Sequence, residues 1–349
     1  MLSTSEDKYK NNYFCKPIRC FMKRDVYWDS LKLLLMFCVL YGHLIQSFAP
    51  HGSFNCAMTN FVYLFHIPVF VFVSGRFSHI KDRKKYITGI WRLLETYLVF
   101  QAIRCFLPLL WHGGDDIITF FILPQWTLWY LISLICWRLL VLFTPDAFLQ
   151  KQPLTIIIST LIVSVLSGFI PIGGHFSIQR TLAFLPFFCM GYYSTRFDQK
   201  SMINKIPAVA AATALVLSFL LLYYFLNVNM MFVTSCKYSY WQFHSISPIV
   251  QAVFRLLFLL SALFTGLAVM RLTPVHVSLA HWGSQTLFIY VYHSFAIQAV
   301  EAAISHGYLP QHEVLFFLYA VLIFTALIFL SHFRIFHILI HPVSYFKEK

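Results

Sequence analysis

The chain has 349 residues, of which 59% are hydrophobic and only 11% are charged, and its mean hydropathy is +0.70. An ordinary soluble domain, with about 25% charged residues, is excluded. The formal net charge of +13 does not indicate a nucleic-acid partner, because the basic residues are dispersed among short connections. We expect an integral membrane protein whose surroundings are membrane lipids.

Apolar segments of roughly 18 to 22 residues recur along the chain, each long enough to cross a hydrocarbon core of about 30 Å as a helix. The expected fold class is an all-α integral membrane protein with about ten transmembrane helices. The candidate spans are 29–48, 61–78, 88–110, 126–143, 154–170, 180–195, 207–227, 249–270, 285–304 and 314–336. The expected regions are a basic N-terminal segment (1–28), a membrane domain (29–336) and a short tail (337–349). The first span is too long and too polar for a cleavable signal peptide.

Lys and Arg in short connections indicate orientation, because positive residues are retained on the cytoplasmic side. They occur in the N-terminal segment and in alternate connections, at Lys81, Arg83, Lys84, Lys85, Lys151, Arg196, Lys200, Lys205, Arg271 and Arg334. The opposite connections carry little more than Lys237, together with Asp115, Asp116 and Glu313. We therefore expect both termini in the cytoplasm and an even number of spans.

The eight cysteines show no spacing typical of a metal site, so we expect no bound metal. Most lie in apolar spans and are interpreted as small core residues. Cys56 and Cys236 fall in predicted outer connections, where a disulfide or two free thiols would both fit the sequence.

Lys32 and His43 both lie in the first apolar span, where ionisable side chains usually serve a substrate, an ion or a proton. Their spacing is close to three helical turns, so they share a helix face about 16 Å apart. A cation near the inner mouth suits phosphates, whereas an imidazole near the outer side suits proton abstraction from a hydroxyl. Alternatively, Lys32 snorkels and His43 bonds a backbone carbonyl; the pair on one face favours the functional interpretation.

Later spans carry further polar residues. His66 precedes Pro68, which loosens the second helix, and enters the membrane about as deep as His43; a buried histidine in a kinked packing helix is the alternative. Arg92 and Glu95 are spaced to pair on one helix face, either as a structural ion pair or as part of a site.

Four more residues are candidates for substrate contacts. Arg180 suits phosphate or sugar hydroxyls, although anchoring at the interface is the more frequent use of such an arginine. His293 lies near the middle of its span, and Glu301 could orient a histidine, bind a sugar hydroxyl or cap the helix connection. Trp129 begins a span at the outer interface, where it would stack on a sugar or anchor the helix.

Several motifs occur in the order typical of one family of membrane enzymes. The first motif, an acidic residue, a basic residue and a later Gly-His pair, matches Asp29, Lys32, Gly42 and His43. The second matches Phe65, His66, Pro68, Ser74, Gly75 and Phe77, and later matches are LWYLISL (128–134), RTLAFLPFFCMGYY (180–193) and IYVYHSF (289–295). With its motifs in this order, the chain resembles the membrane-bound acyltransferase 3 family. By motif it is most similar to the fucose 4-O-acetylase-like sugar O-acetyltransferase branch of that family.

The resemblance implies transfer of an acyl group to a hydroxyl of a sugar in a cell-envelope glycan, an exopolysaccharide or a lipid-linked saccharide. Acetyl-CoA is the implied cosubstrate and the bacterial cytoplasmic (inner) membrane the implied location. His43 would be the general base, with an acyl-histidine intermediate as the mechanistic alternative. His66 or an arginine would donate to the oxyanion. Coenzyme A contacts are expected at Lys32, Arg83, Lys84, Lys85 and Arg92, and acceptor contacts at Asp29, Trp129, Arg180, His293 and Glu301.

Two departures from the family pattern concern the donor site. Lys32 stands where many relatives have Arg, so bidentate phosphate binding is lost while a point charge remains. The family often shows two arginines and a proline entering the third helix, whereas here Arg92 stands with Gly89 and Glu95 near the other positions.

Two other classes of function are compatible with intramembrane ionisable residues. A proton-coupled transporter of a sugar or small polar solute would use them as a relay, but the two halves show no convincing similarity of the kind that transporter repeats produce. A purely structural membrane protein would leave Lys32, His43, His66 and Glu301 without a role.

Overall fold

The computed structural model describes residues 25–112, 123–171, 175–228, 230–242 and 245–343, and within these ranges the chain forms helices and no β-strand. The helices are α1 (Val26–Gln46), α2 (Phe54–Arg76), α3 (Arg83–His112), α4 (Trp129–Phe143), α5 (Asp146–Lys151), α6 (Pro153–Leu166), α7 (Ile178–Ser194), α8 (Gln199–Asn204), α9 (Ala208–Tyr224), α10 (Met231–Thr234), α11 (Pro248–Leu272), α12 (Val277–Gly283), α13 (Thr286–Ser305), α14 (Glu313–Leu330) and α15 (Arg334–Ile340). Short 3-10 turns precede α4 and α7 at Trp126–Leu128 and His175–Ser177.

Each of the ten predicted apolar segments coincides with a helix, in order α1, α2, α3, α4, α6, α7, α9, α11, α13 and α14. Among the described residues, 6 helices are long and apolar enough to cross a membrane: α1, α2, α4 with its preceding turn, α11, α13 and α14. The helices α6 and α9 are apolar but shorter. An all-α, multi-pass membrane protein is therefore confirmed, whereas ten spans and cytoplasmic termini stay predictions. The predicted N-terminal segment up to residue 24, Asp115, Asp116 and the end of the tail lie outside the described residues.

Helix α1 lies at the centre of the bundle and contacts α2, α12, α13 and α14. Its leucines at 31, 35, 40 and 44 are completely buried. The carboxylate of Asp25 caps its first turn by accepting the backbone N–H of Tyr27, which satisfies one of the donors left open at a helix start. Because α1 has neighbours on several sides, Lys32 and His43 are both partly buried within the bundle.

Helices α2 and α7 touch backbone to backbone through two glycines. A Cβ atom added at Gly75 would lie 2.0 Å from the carbonyl oxygen of Phe188, and one added at Gly191 would lie 1.8 Å from that of Phe72. Small residues permit such close approach between membrane helices. The contact sets the position of α2, which carries His66, relative to α7, which carries Arg180.

Replacing Gly191 with alanine is expected to destabilise the protein by about 2 kcal/mol or more, because the added methyl group forces the two helices apart. The apparent unfolding temperature of the purified protein in detergent measures this. The matched control is Gly89→Ala, where the new Cβ meets only the side-chain Nη1 of Arg138 at 3.4 Å. Equal unfolding temperatures for the two variants would contradict the close contact.

The disulfide considered for Cys56 and Cys236 does not form, because both residues are free thiols. Cys56 lies in the first turn of α2, where its backbone N–H donates to the hydroxyl of Ser53. The Sγ of Cys236 instead donates to the carbonyl oxygen of Val233 at 3.4 Å. The second alternative from the sequence, two free cysteines, is therefore correct.

Candidate active site

His43 is held by a hydrogen-bonded chain that links α1 to α2. Its Nδ1 lies 2.8 Å from the hydroxyl of Tyr63, and that hydroxyl donates to Oε1 of Gln46 at 2.5 Å. A tyrosine has one hydroxyl proton, so the oxygen of Tyr63 accepts the Nδ1–H of His43. The network therefore leaves the lone pair of the neutral imidazole on Nε2, as a general base requires.

Two further histidines lie close to His43 and are completely buried. The Nδ1 of His66 lies 2.7 Å from the carbonyl oxygen of Val62, and that of His293 lies 2.6 Å from that of Tyr290. Because a carbonyl only accepts, each neutral ring carries its proton on Nδ1 and a lone pair on Nε2. Neither Nε2 has a hydrogen-bond partner in the described part of the chain, so each is a buried acceptor that the described residues leave unsatisfied.

The three imidazoles form one cluster. The ring of His293 lies 5.8 Å from that of His43, and the ring of His66 lies 4.7 Å from that of Tyr63. His43 also stacks on Trp126, with ring centres 5.8 Å apart. Residues from α1, α2, α13 and the turn before α4 thus converge on one point.

A cavity of about 600 Å³ opens on one side of His43, and we call it the polar cavity. Its described polar and aromatic lining is His43, Gln46, Tyr63, His66, Gln125, Trp126, Trp129, Ser177, Gln179, Arg180, Phe184, Thr234, Ser235, Lys237 and Tyr238. Its volume falls in the range of small-molecule sites, about 300 to 1,000 Å³, and its donors and acceptors suit a hydroxylated ligand.

A second cavity of about 200 Å³, the apolar cavity, extends along α1 between Lys32 and His43. Its lining is mostly hydrophobic and aromatic, with Val39, Ile67, Phe70, Leu93, Trp129, Tyr130, Leu131, Leu134, Leu287 and Tyr290 among its residues. His43, Ile67 and Trp129 line both cavities. The candidate base therefore lies where an apolar passage meets a polar chamber.

Lys32 lies at the end of the apolar cavity away from His43. It forms an ion pair with Asp29, in which Nζ lies 2.5 Å from Oδ1. Asp29 is buried, and its backbone lies against α12, where a Cβ at Gly283 would come within 2.1 Å of the Asp29 carbonyl oxygen. The predicted acceptor contact Asp29 is thus engaged with Lys32, and it orients the lysine.

Arg180 and Trp129 form one wall of the polar cavity. The guanidinium of Arg180 stacks over the indole of Trp129 at 4.6 Å, and its Nε donates to the carbonyl oxygen of Ser235 at 3.2 Å. An arginine that stacks on an aromatic face keeps its remaining N–H groups for a ligand. Both residues were predicted from the sequence as acceptor contacts, and the structure places them beside His43.

The backbone beside the polar cavity is strained. Trp126 (φ 50°), Phe176 (φ 46°), Ser177 (φ 55°) and Cys236 (φ 49°) adopt left-handed conformations, which are uncommon for residues other than glycine. Trp126 and Ser177 line the cavity, and Phe176 and Cys236 adjoin lining residues. Strain of this kind, about 1 to 3 kcal/mol per residue, persists where the surroundings enforce it and clusters at functional sites.

Other predicted residues do not join this site. Arg83, Lys84 and Lys85 are exposed at the start of α3. In the same helix as Arg92, the carboxylate of Glu95 accepts the backbone N–H of Val343. None of these residues lines either cavity. The coenzyme A contacts predicted for the three basic residues at the start of α3 and for Arg92 stay predictions.

Glu301 lines neither cavity, and neither does His293, although the ring of His293 lies close to that of His43. The acceptor contact predicted for His293 stays a prediction. The Oε1 of Glu301 accepts the hydroxyl of Ser47 at 2.5 Å, so it ties α13 to the residue that ends α1. The capping of its own helix connection and a contact between Glu301 and a sugar, both considered from the sequence, stay predictions.

Tyr63 and Gln46 are the functional residues that the sequence interpretation missed. Each lies three positions from a predicted histidine on its own helix, Tyr63 before His66 and Gln46 after His43. Residues at that spacing are neighbours on a helix surface. Polar side chains three positions from the two histidines were therefore the available signal.

The fold and the site define a multi-pass helical membrane protein with a partly buried histidine between two cavities. The acyltransferase 3 family model, described as an acyltransferase domain, matches residues 25–333. The chain belongs to this family, which indicates acyl transfer and does not favour the transporter alternative. Searches of curated proteins and of solved structures gave no match.

Proposed function

We propose that the protein is a sugar O-acyltransferase of the fucose 4-O-acetylase-like branch. It transfers an acyl group, acetyl from acetyl-CoA, to a hydroxyl of a cell-envelope glycan, an exopolysaccharide or a lipid-linked saccharide. The observation that carries this proposal is the meeting of the polar and apolar cavities at His43. Two substrates of different polarity then approach one base from different directions.

The acyl donor would occupy the apolar cavity. Lys32 attracts the phosphates of coenzyme A, and the extended pantetheine arm follows α1 from Lys32 to His43, a distance of about 16 Å. Asp29 limits the lysine to the position seen in the ion pair. The hydrophobic walls suit the thioester end of the donor and limit its hydrolysis by water.

His43 would act as general base through Nε2. It takes the proton of the acceptor hydroxyl while the hydroxyl oxygen bonds to the thioester carbonyl carbon. The tetrahedral oxyanion collapses, the C–S bond breaks, and the protonated His43 returns the proton to the departing thiolate. The products are the sugar ester and free coenzyme A. In the acyl-histidine alternative, the same Nε2 carries the acyl group between two such steps.

The oxyanion requires a hydrogen-bond donor. The neutral His66 offers a lone pair at Nε2, because its Nδ1–H is directed to the carbonyl of Val62. We therefore assign the oxyanion contact to Arg180 and a role in accepting the sugar hydroxyls to His66, which lines the polar cavity.

The proposed setting is the bacterial cytoplasmic membrane, with ten spans and both termini inside. Lys32 then faces the cytoplasmic supply of acetyl-CoA, and the polar cavity faces outward. The acyl group crosses the membrane within the protein, and the acceptor receives it on the outer side.

The test uses mass spectrometry of glycans from a deletion strain, with and without the wild-type gene, and acyl transfer by the purified protein in nanodiscs. We expect O-acetyl esters only where the protein is present. Identical O-acetylation with and without the protein would refute the proposal.

Lys32→Met is expected to raise the KM for acetyl-CoA by about 10-fold or more, since hydrogen bonds to charged groups contribute about 1.5 to 3 kcal/mol. The control Lys205→Met changes an exposed lysine outside both cavities.

A further inference from the structure

The polar cavity has a one-sided charge. Arg180 and Lys237 line it, whereas no aspartate or glutamate is found among its described lining residues. A third cation lies just behind the wall: the guanidinium of Arg104 stacks over Trp126 at 5.2 Å. Cations grouped in a concave site with aromatic walls attract ligands of opposite charge.

Arg180 lacks a counter-ion in the part of the chain that the structure describes. Its contacts there are the face of Trp129 at 4.6 Å and the Ser235 carbonyl oxygen, which accepts from Nε. One neutral carbonyl and one ring compensate the charge of this half-buried guanidinium incompletely, because a charge removed from water is normally paired. The terminal nitrogens of the guanidinium carry several N–H groups, so two of them can form a fork on the two oxygens of a carboxylate or a phosphate while another donates to the oxyanion.

Lys237 lies on the same segment as the carbonyl that holds Arg180. Its side chain is exposed, and its ammonium lies 5.4 Å from the ring of Tyr238. The left-handed conformation of Cys236 (φ 49°) turns the chain between Ser235 and Lys237. The segment therefore contributes both the anchor of one cation and the second cation.

Neutral sugars would call for a different lining. Carboxylates are strong acceptors for sugar hydroxyls, and the described lining has none. The amide of Gln46 already accepts from Tyr63, and the amide nitrogen of Gln179 donates to the carbonyl oxygens of Ser167 and Ile170. The charged side chains of the described lining are cations, Arg180 and Lys237.

We propose that the acceptor is anionic: a saccharide that carries a carboxylate or a phosphate, bound between Arg180 and Lys237 with its reacting hydroxyl at His43. This inference rests on the proposed acyl transfer to a sugar. The anionic group binds without reacting, and it aligns the hydroxyl beside Nε2 of His43.

The first test locates the ester. Tandem mass spectrometry of the glycan from wild-type and deletion strains identifies the sugar residue that carries the acyl group. We expect that residue or its direct neighbour to bear a carboxylate or a phosphate. An ester on a neutral residue with neutral neighbours overturns the anionic acceptor and leaves the acyltransferase standing. The absence of any difference between the strains overturns both.

The second test removes the charge from each partner in turn. The glycan from the deletion strain is used intact, after reduction of its carboxyl groups, and after removal of its phosphates, with the purified protein in nanodiscs. We expect one of the two treatments to lower kcat/KM for the acceptor about 10- to 100-fold, the size of a lost hydrogen-bonded charge pair, and the treatment that does so identifies the anion. Unchanged kcat/KM after both treatments overturns the proposal.

Lys237→Gln is the matching change in the protein, chosen because this exposed side chain can be replaced without altering the core. We expect about a 10-fold loss of kcat/KM with the intact glycan and less than about a 2-fold loss with the neutralised one, because interacting groups are not additive. Equal losses with both glycans show that Lys237 does not contact the anion. Lys205→Gln, at an exposed lysine outside the cavity, is expected to leave both rates unchanged.

Discussion

Replacing His43 with alanine is expected to lower kcat for acyl transfer by about 100- to 10,000-fold, the usual contribution of a positioned general base. The Nε2 lone pair, left free because Nδ1 bonds to Tyr63, disappears with the ring. The KM for acetyl-CoA should change little, because Lys32 and the walls of the apolar cavity remain. Release of free coenzyme A in the presence of acceptor, measured in nanodiscs, reports the rate.

His306→Ala is the matched control for this variant, since His306 is an exposed histidine at the end of α13. The variant should retain wild-type turnover. If His43→Ala also retained it, the mechanism would fail and His43 would be structural. Intact-mass measurement of the wild-type protein after mixing with acetyl-CoA alone separates the two mechanisms, because only an acyl-histidine intermediate adds the mass of one acyl group.

Replacing Tyr63 with phenylalanine is expected to lower kcat about 10- to 100-fold, the same size of effect as the loss of a residue that orients a metal-bound histidine. The phenyl ring preserves the edge-on contact with His43, whose ring centre lies 5.7 Å away. Only the hydroxyl that accepts the Nδ1–H is removed. The imidazole then loses the bond that selects its tautomer, while the substrate-binding walls remain, so KM should be nearly unchanged.

A spectroscopic measurement distinguishes this positioning role from a general structural one. Nitrogen-15 NMR of histidine-labelled protein should show a smaller fraction of the Nδ1–H tautomer of His43 in Tyr63→Phe. Tyr97→Phe is the matched control, because the Tyr97 hydroxyl is buried with no hydrogen-bond partner among the described residues. Equal kcat in the two variants would mean that the Gln46–Tyr63–His43 chain does not serve catalysis.

The sequence predicted the helical segments and the position of Lys32 and His43 on one helix face. Apolar runs of lipid length predict helices because backbone polar groups must be satisfied internally in a membrane. Within one helix, the rise per residue fixes how far apart two side chains lie. For that reason Lys32 and His43 are found at two ends of one cavity along α1.

Membership of the family also followed from the order of short motifs, and the family model covers residues 25–333. The motif residues His66 and His293 do lie in the cluster around His43. Their tautomers could not be predicted, because these depend on carbonyls that the fold places next to each Nδ1.

Contacts between helices were decided only by the tertiary structure. The rotation of each membrane helix depends on its packing, as where Gly75 and Gly191 bring α2 and α7 into backbone contact. This packing turns Tyr63 toward His43 and helps to place Arg180 beside Trp129. It also leaves the basic cluster that begins α3 outside both cavities. Local spacing determined which side chains share a helix face, whereas long-range packing determined which faces meet. The candidate active site lies where those faces meet.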